Sequence, residues 1–367
     1  MILIDFSSIV HRMIHSSIAN AKPAKKDGKY ITEEFIGLTR YYIFQELFAI
    51  KQEFGSKFGD MVICLDNSSD GYWRRDFYPS YKEARKKGRE ESDIDYRAVY
   101  VAVDGIVEQL KRNIPWKVIE VPKAEADDII LVLAREYHKN EKILVHSPDK
   151  DMIQAQRNNN NVFQYSSLTK KWLVPENKHD NMDHWITEHV CLGDPSDDVP
   201  KIVEKTEFSD SFLAHLAQHG FIVKIPLDFR DLAIDIEDKK KLVQCFDVYK
   251  KNRAGESTGE KDIYKDIRFG PTTLQKKIEE FGSLDAWLDS HPMYRKNYER
   301  NYTLVMEEGI PKNIWNDIVV NFNTAETVYN STEFERYLNE NGLRSILMEL
   351  PNVFKVNREL TAADFGW

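Results

Sequence analysis

Acidic side chains stand at the ends of short apolar runs in this sequence. Asp5 follows the run ILI, Asp66 follows MVICL, and Asp149 comes soon after ILV. Runs of this kind are typical of buried parallel strands. Because ligands bind at the carboxyl edge of a parallel sheet, we expect these carboxylates to meet at one edge.

A helix start brings further acids into the same region. The segment AEADDIILVL opens with Glu125, Asp127 and Asp128 and continues with an apolar helical pattern, and negative charge suits a helix N-terminus. Asp151 follows Asp149 two residues later. At about 4 Å and an effective dielectric near 20, each like-charged pair would cost roughly 4 kcal/mol. Protonation or a metal would relieve this repulsion, and several oxygen ligands together favour Mg²⁺ or Mn²⁺.

An aspartate-rich turn lies further along the chain. In GDPSDDVP (193–200), Gly and Pro end a helix and force a turn that carries Asp194 and Asp197. An ordinary Asp-rich turn is the simplest interpretation, and the EF-hand calcium pattern is absent.

Together, these acidic side chains are more numerous than the ligands that a single divalent ion needs. Their number suits two divalent ions about 3.5–4 Å apart, a known solution for in-line displacement at a phosphodiester. One ion lowers the pKa of a bound water, and the other stabilises the leaving oxygen. The candidate ligands are Asp5, Asp66, Glu125, Asp127, Asp128, Asp149, Asp151, Asp194 and Asp197.

A basic segment (residues 67–98) interrupts the apolar pattern. Between Tyr72 and Arg89, seven Lys and Arg residues oppose Asp76 and Glu83, although the whole chain has a net charge of −9. A solvated charged loop is the simplest interpretation. Aromatic residues interleaved with the cations favour nucleic-acid binding instead, since they supply base stacking together with phosphate contacts.

Composition narrows the protein class. With 367 residues, 42% of them hydrophobic, the chain is long enough for a large core and more than one domain. It shows no apolar run of membrane-spanning length and no basic signal-peptide start, so we expect a soluble, intracellular protein. P-loop, GxGxxG and nucleophile motifs are missing, which disfavours an NTPase, a dinucleotide enzyme and covalent catalysis.

The apolar patterns predict an α/β fold, with a mostly parallel central sheet flanked by helices. We divide the chain into a metal-dependent core (1–200), an irregular insertion of unknown role (201–268) and a helical C-terminal region (269–367). That last region opens with Gly270 and Pro271, followed by Thr272 and Thr273. Backbone N–H groups at such a helix start can hold a phosphate, although an ordinary helical hairpin fits equally well.

Several motifs together resemble one known family. They are LIDFSSI, CLDNSSDGYWRRDFYPSYKEARKKGREES, AEADD, SPDKDM, GDPSDD and KNYERNYTLV. The chain resembles the structure-specific 5′ nucleases (flap endonucleases and the 5′-nuclease domains of bacterial DNA polymerases), and in particular the T-even phage ribonuclease H members, 5′→3′ exonucleases that remove RNA primers. The resemblance covers most of residues 1–200 and, more loosely, 269–350.

This resemblance implies a two-metal site. It implies a first, more catalytic Mg²⁺ ion on Asp5, Asp66, Asp127 and Asp149, with Glu125 in support. It implies a second ion on Asp151, Asp194 and Asp197, partly through water, with Asp128 behind the ligands. Mn²⁺ would substitute for Mg²⁺ at both positions.

The resemblance also assigns nucleic-acid contacts. The basic segment would form an arch or bridge for the 5′ strand, with Lys82 near the scissile phosphate. The residues implied to guide the strand are Arg74, Arg75, Tyr81, Arg85 and Lys86. Gly270, Thr272 and Thr273 would grip duplex backbone, although the insertion separates them from GDPSDD, unlike the family pattern.

The implied activity is removal of RNA primers and 5′ DNA flaps during phage DNA replication, in the host cytoplasm. The implied partners are DNA and RNA:DNA hybrids with a 5′ end or flap, a single-stranded-DNA-binding protein and a sliding clamp, which the ADFGW tail would contact. We expect a monomer and no membrane contact. Two alternatives are a PIN-like endoribonuclease, which is usually shorter and lacks a basic arch, and a catalytically silent nucleic-acid clamp, which would show gaps in the acid set.

Overall fold

The computed structural model describes residues 1–30, 32–157, 159–174, 182–203, 206–208, 264–266 and 269–354. It divides into two compact units, Met1–Met182 with Met306–Trp367, and Asp183–Val305. Most of the predicted insertion and the ADFGW tail lie outside the described residues. The functional division into core, insertion and C-terminal region stays a prediction, and the compact units cross its boundaries.

The first unit contains a six-stranded sheet in the order β3-β2-β1-β4-β5-β6. Its strands are β1 (Ile2–Asp5), β2 (Met61–Leu65), β3 (Lys117–Glu120), β4 (Ile143–His146), β5 (Val162–Ser166) and β6 (Lys171–Leu173). All neighbouring pairs are parallel except β5 and β6, which form an antiparallel pair. The mostly parallel sheet predicted from the sequence is therefore confirmed.

Helices cover both faces of this sheet. They are α1 (Phe6–Ala21), α2 (Glu33–Phe58), α3 (Trp73–Phe77), α4 (Glu83–Glu91), α5 (Tyr96–Asn113) and α6 (Ala126–Tyr137). After a 3₁₀ helix at Lys150–Gln156, the later helices of this unit are α11 (Lys312–Thr324), α12 (Ser331–Glu340) and α13 (Arg344–Phe354). Ile2 and Ile4 pack on the face of α2 and α5, whereas Leu3 packs on the face of α6 and α11. Burial on both faces explains why the strands read as continuous apolar runs.

The basic segment contains two short helices, α3 and α4. The simplest sequence-based interpretation was a charged loop, because the segment has no sustained apolar face. Trp73 and Arg74 of α3 are nevertheless buried, while α4 has no buried residue. The buried residues of α3 therefore anchor the basic segment, while the cations of α4 lie at the surface.

The second unit is built mainly from helices. Its elements are α7 (Met182–Leu192), β7 (Thr206–Phe208), β8 (Tyr264–Asp266), α8 (Pro271–Phe281), α9 (Leu284–Ser290) and α10 (Pro292–Val305). Cys191, Ile202, Leu274, Trp287 and Leu288 lie in its apolar core. In the described parts of both units, no helix combines the length and the apolar character needed to cross a bilayer.

Candidate active site

The carboxyl edge of the sheet in the first unit collects four aspartates. Asp5 is the last residue of β1, Asp66 follows β2 directly, and Asp149 comes three residues after β4. Asp127 lies in the first turn of α6. We call this set the carboxylate cluster.

Two members of the cluster are held by backbone and serine donors. Asp5 accepts hydrogen bonds from the backbone N–H of Ser8 at 2.9 Å and from Ser147 Oγ at 2.8 Å. Asp66 accepts from Ser7 Oγ at 2.5 Å and from the backbone N–H of Ala126 at 2.7 Å. The start of α6 is thereby tied to the end of β2.

A buried side chain of β5 holds the backbone of the loop that carries Asp149. Gln164 is buried in the middle of β5, and its Nε2 donates to the carbonyl oxygens of Ser147 and Asp149 at 3.0 and 2.6 Å. The carboxylate of Asp149 accepts from the backbone N–H of Asp151 at 2.9 Å. Because its backbone is anchored in this way, Asp149 is presented at the edge of the sheet.

Glu125 sits beside the cluster and meets three donors of the basic segment. Arg74 donates to its Oε2 at 2.9 Å, Tyr81 Oη to the same oxygen at 3.1 Å, and Lys82 Nζ to Oε1 at 2.5 Å. All four residues are buried. Burial opposes ionisation, but the charges of Lys82 and Arg74 hold the pKa of Glu125 below its ordinary value.

Asp128 extends this buried network on the far side of Arg74. Its carboxylate lies 2.8 Å from the Arg74 guanidinium and accepts from Trp73 Nε1 at 3.0 Å. It also accepts from the backbone N–H of Glu125 at 2.9 Å, as part of a capping box at the start of α6. Residues of α3 and α6 are thus joined by charge-assisted hydrogen bonds.

The charges of the cluster's carboxylates act on one another, although the charge of Lys82 opposes the effect on Asp5 and Asp127. Burial, together with the charge of Asp66, raises the pKa of Asp5 to about 6. Burial and the charges of Asp149 and Asp5 raise the pKa of Asp127 well above its ordinary value. These carboxylates are therefore close enough for their charges to act on one another, which is the condition that a bound cation relieves.

The chemistry of the cluster fits a hard divalent ion, because its side-chain donors are carboxylate oxygens. As the side chains stand, no group of three or more His, Cys, Asp or Glu in the described ranges is arranged to hold a metal ion. Asp5 and Asp66 point at protein donors instead.

The predicted strand-guiding residues fall into two groups. Arg74 and Tyr81 are buried and contact Glu125, so their contacts hold the basic segment on α6. The side chain of Arg75 donates to the carbonyl oxygen of Tyr81 at 3.0 Å. Arg85 and Lys86 are exposed on α4. Contact of these five residues with a nucleic-acid strand stays a prediction.

In the second unit, Asp194 and Asp197 lie on a tight turn. Asp194 accepts from the backbone N–H of Ser196 at 2.7 Å and begins a 3₁₀ turn at Pro195–Asp197. Gly193 has a φ of 65°, and a Cβ there would lie 2.4 Å from the Val199 carbonyl oxygen. The turn thus requires glycine at position 193, while the metal role of the two aspartates stays a prediction.

The helix start at 270–273 in the second unit is present as predicted. Gly270 is the N-cap of α8, and Pro271 is its first residue. Thr272 is exposed, whereas Thr273 is half-buried. Phosphate binding by these groups stays a prediction.

Sequence reasoning missed the residues that hold the carboxylates in place. Ser7, Ser147, Gln164 and Trp73 donate to the acids or to their backbone. Ser147 was within the quoted motif SPDKDM, but a serine beside an aspartate does not reveal its hydrogen-bond partner. Gln164 carries no local signal, because its role depends on the pairing of β4 with β5.

Comparison with known proteins identifies the family. A family model described as the 5′-3′ exonuclease, N-terminal resolvase-like domain matches residues 1–184 of the 367. The chain belongs to this family. The match contains all four members of the carboxylate cluster and the whole basic segment.

Individual relatives agree with this membership. The chain is 31% identical over 208 residues to ribonuclease H of Enterobacteria phage T4, covering 56% of this chain and 64% of that protein. It is 32% identical over 140 residues to the 5′-3′ exonuclease of Aquifex aeolicus (strain VF5), covering 35% and 43%. The chain therefore spans less than two thirds of the length of each of these relatives.

Among solved structures, T5 5′-exonuclease with bound divalent zinc ions is 13% identical, with a TM-score of 0.48, over 89% of this chain and 99% of that one.

Proposed function

We propose that the chain is a Mg²⁺-dependent 5′→3′ exonuclease and flap endonuclease that hydrolyses phosphodiesters by a two-metal mechanism. The observation that carries the proposal is the carboxylate cluster at the sheet edge, where burial and mutual charge raise the pKa of Asp5 and Asp127. Membership of the 5′-3′ exonuclease family supports the same reaction. Acidic residues with only a structural role would be expected to lie beside cations that stabilise them, and not beside one another.

In this proposal the ligands divide between two ions. The first ion would be held by Asp5, Asp66, Asp127 and Asp149, with Glu125 in support. The second would be held by Asp151, Asp194 and Asp197, partly through water, with Asp128 behind the ligands. When bound, the ions supply a water of lowered pKa and stabilise the leaving oxygen.

Lys82 would act on the phosphate directly. Its ammonium carries three donors, so one can remain on Glu125 while another meets a non-bridging oxygen of the scissile phosphate. A preorganised cation in a desolvated position stabilises charge that develops in the transition state. Arg74 and Tyr81 would position Lys82 indirectly, since they share its partner Glu125.

The substrates follow from the same proposal. They would be RNA primers and 5′ DNA flaps, which the enzyme would remove during phage DNA replication in the host cytoplasm. The phage T4 relative is named ribonuclease H, which supports RNA as a substrate. A single-stranded-DNA-binding protein and a sliding clamp would be partners of a monomeric enzyme. Deletion of Asp364–Trp367 should then abolish stimulation by a clamp and leave basal cleavage intact.

Cleavage of 5′-labelled substrates by Asp149→Asn tests the function. RNA-primed, flapped and nicked duplexes are incubated with Mg²⁺, with Mn²⁺ or without a divalent ion. The wild type should release short 5′ products only with metal, and Asp149→Asn should lower the rate by at least about 10³-fold while binding stays within a few-fold. Asp317→Asn on α11, an exposed aspartate remote in sequence, is the matched control and should cleave normally. Persistent cleavage by Asp149→Asn would refute the metal assignment.

A further inference from the structure

The motif KNYERNYTLV lies in α10 and contains two buried asparagines, Asn297 and Asn301. They are four residues apart, so they lie on the same side of the helix. Arg300 donates to both amide oxygens, from Nη1 to Asn297 Oδ1 and from Nε to Asn301 Oδ1, each at 3.1 Å. Because a guanidinium can only donate, these bonds fix which end of each amide is the oxygen. The Nδ2 of each asparagine is thereby left to donate elsewhere.

The Nδ2 group of Asn301 joins the two ends of the aspartate turn. It donates to the carbonyl oxygen of Val190 at 3.0 Å and to that of Pro200 at 2.7 Å. Val190 is in the last turn of α7, and Asp194 and Asp197 lie between it and Pro200 in the chain. One buried amide therefore closes the loop that carries both aspartates.

Asn301 also takes part in ending α7 directly before this turn. The last four carbonyl groups of a helix have no partner within the helix. The carbonyl oxygens of His189 and Cys191 accept from backbone N–H groups that follow α7, and the one between them, on Val190, accepts from Asn301. The side chain thus holds the backbone at the point where the helix gives way to the turn.

We propose that Asn301 is a positioning residue, which holds the turn that carries Asp194 and Asp197 in the geometry that binds the second divalent ion. The inference rests on the proposed function, which assigns that ion to this turn. Asn301 would act through the backbone of the turn and would not contact the ion itself. Residues that hold metal ligands in place are commonly worth 10- to 100-fold in metal affinity.

Titration with Mn²⁺ in the absence of nucleic acid separates this role from catalysis. The electron paramagnetic resonance signal of free Mn²⁺ gives the number and affinity of the bound ions. The wild type should bind two ions. Asn301→Leu, which keeps the size of the side chain but removes its donors, should bind one ion normally and the other about 10- to 100-fold more weakly.

Asn297→Leu is the matched control. Asn297 is buried in the same helix and contacts the same arginine, but its Nδ2 donates to the carbonyl oxygen of Ile202 at 2.9 Å, beyond the turn. This variant should bind both Mn²⁺ ions within about 2-fold of the wild type. Thermal unfolding identifies a temperature at which every variant is folded, and all titrations are made there.

A second variant, Asn301→Asp, keeps an oxygen for Arg300 and adds a negative charge, which by itself would favour a cation. Weaker binding of one Mn²⁺ ion by this variant would therefore come from the lost donors. Amide hydrogen exchange adds a readout that needs no metal. Residues 193–200 should exchange faster in both Asn301 variants than in the wild type, and at the wild-type rate in Asn297→Leu.

The inference is overturned if both Asn301 variants bind Mn²⁺ like the wild type, even with a lower unfolding midpoint, because Asn301 would then have only a structural role. Equal losses of Mn²⁺ affinity in Asn301→Leu and Asn297→Leu would also overturn it, as would a wild type that binds fewer than two ions. Loss of one ion only in the Asn301 variants, from a wild type that cleaves no 5′-labelled substrate with Mg²⁺, would refute the proposed function and leave the inference standing.

Discussion

The ammonium of Lys82 lies 2.5 Å from Oε1 of Glu125, and Lys82 reaches it from a left-handed backbone conformation with φ of 55°. Such a conformation costs a non-glycine residue about 1–3 kcal/mol and occurs preferentially at functional sites. Here the buried ion pair holds the strained residue at the junction between α3 and α4. Position as well as charge therefore distinguishes Lys82 from the exposed lysines of α4.

Replacing Lys82 should affect turnover more than affinity. Lys82→Ala is expected to lower kcat on a flapped substrate by about 10²- to 10³-fold, because its charge would act on the transition state, and to change Kd by less than about 3-fold. Steady-state kinetics and binding without metal give the two values. Lys86→Ala removes an exposed cation of α4 and should leave kcat nearly unchanged. A Lys82→Ala defect confined to Kd would contradict the proposed role.

Removing Arg74 should destabilise the folded protein. Its guanidinium is buried between Glu125 and Asp128. Glu125 keeps its ion pair with Lys82, but Arg74→Ala would remove the cation paired with the buried carboxylate of Asp128, at a cost of about 3–5 kcal/mol. Urea denaturation measures the free energy of unfolding. Arg75→Ala removes a half-buried guanidinium bonded to carbonyl oxygens and should cost about 1 kcal/mol. Equal losses in the two variants would contradict the assigned difference.

Alanine should be tolerated very differently at two glycines of the second unit. Gly193 and Gly282 have φ of 65° and 80°, so alanine costs about 1–2 kcal/mol at either position. Only at Gly193 would the new Cβ meet backbone, 2.4 Å from the Val199 carbonyl oxygen, whereas Gly282 has open space. Gly193→Ala should therefore lower the thermal unfolding midpoint more than Gly282→Ala. Equal midpoints would show that the turn can rearrange without cost.

Acid should weaken the fold through His146. Burial lowers the pKa of this side chain from 6.5 to about 4, with Glu46 opposing the shift and Arg12 adding to it. Because the folded-state pKa is the lower one, the neutral ring stabilises the fold fully above pH 6.5, and this contribution is lost as the pH falls toward 4. The neutral His146 ring contributes about 3 kcal/mol in all to the free energy of unfolding.

The pH dependence of His146 must be separated from that of Asp5. Burial raises the pKa of Asp5 from 3.8 to about 6, so its protonation adds stability to the folded state as the pH falls from 6 to 3.8. Protonation of His146 therefore lowers the free energy of unfolding, whereas protonation of Asp5 raises it. The free energy of unfolding is therefore measured for wild type and His146→Gln between pH 4 and 7.5. The wild type should lose more stability than the variant as the pH falls, and parallel curves would contradict the assignment.

The sequence by itself predicted three neighbouring strands of the sheet and the aspartates that follow them. Apolar runs too short for helices, each followed by aspartate, predicted β1, β2 and β4, and parallel pairing then requires Asp5, Asp66 and Asp149 to share an edge. These features depend on local pattern and on the period of side-chain direction, which a chain carries without its tertiary contacts.

Only the tertiary structure decided which cations face the solvent and which are buried. Arg74 and Arg75 are neighbours in sequence, yet Arg74 is buried against Glu125 and Asp128, more than 50 residues away in the chain. Lys82 and Lys86 differ in the same way, since only Lys82 reaches Glu125. The physical reason is that burial of a charge is favourable only where opposite charges and hydrogen-bond donors from distant segments meet it. Spacing along the chain does not record those encounters.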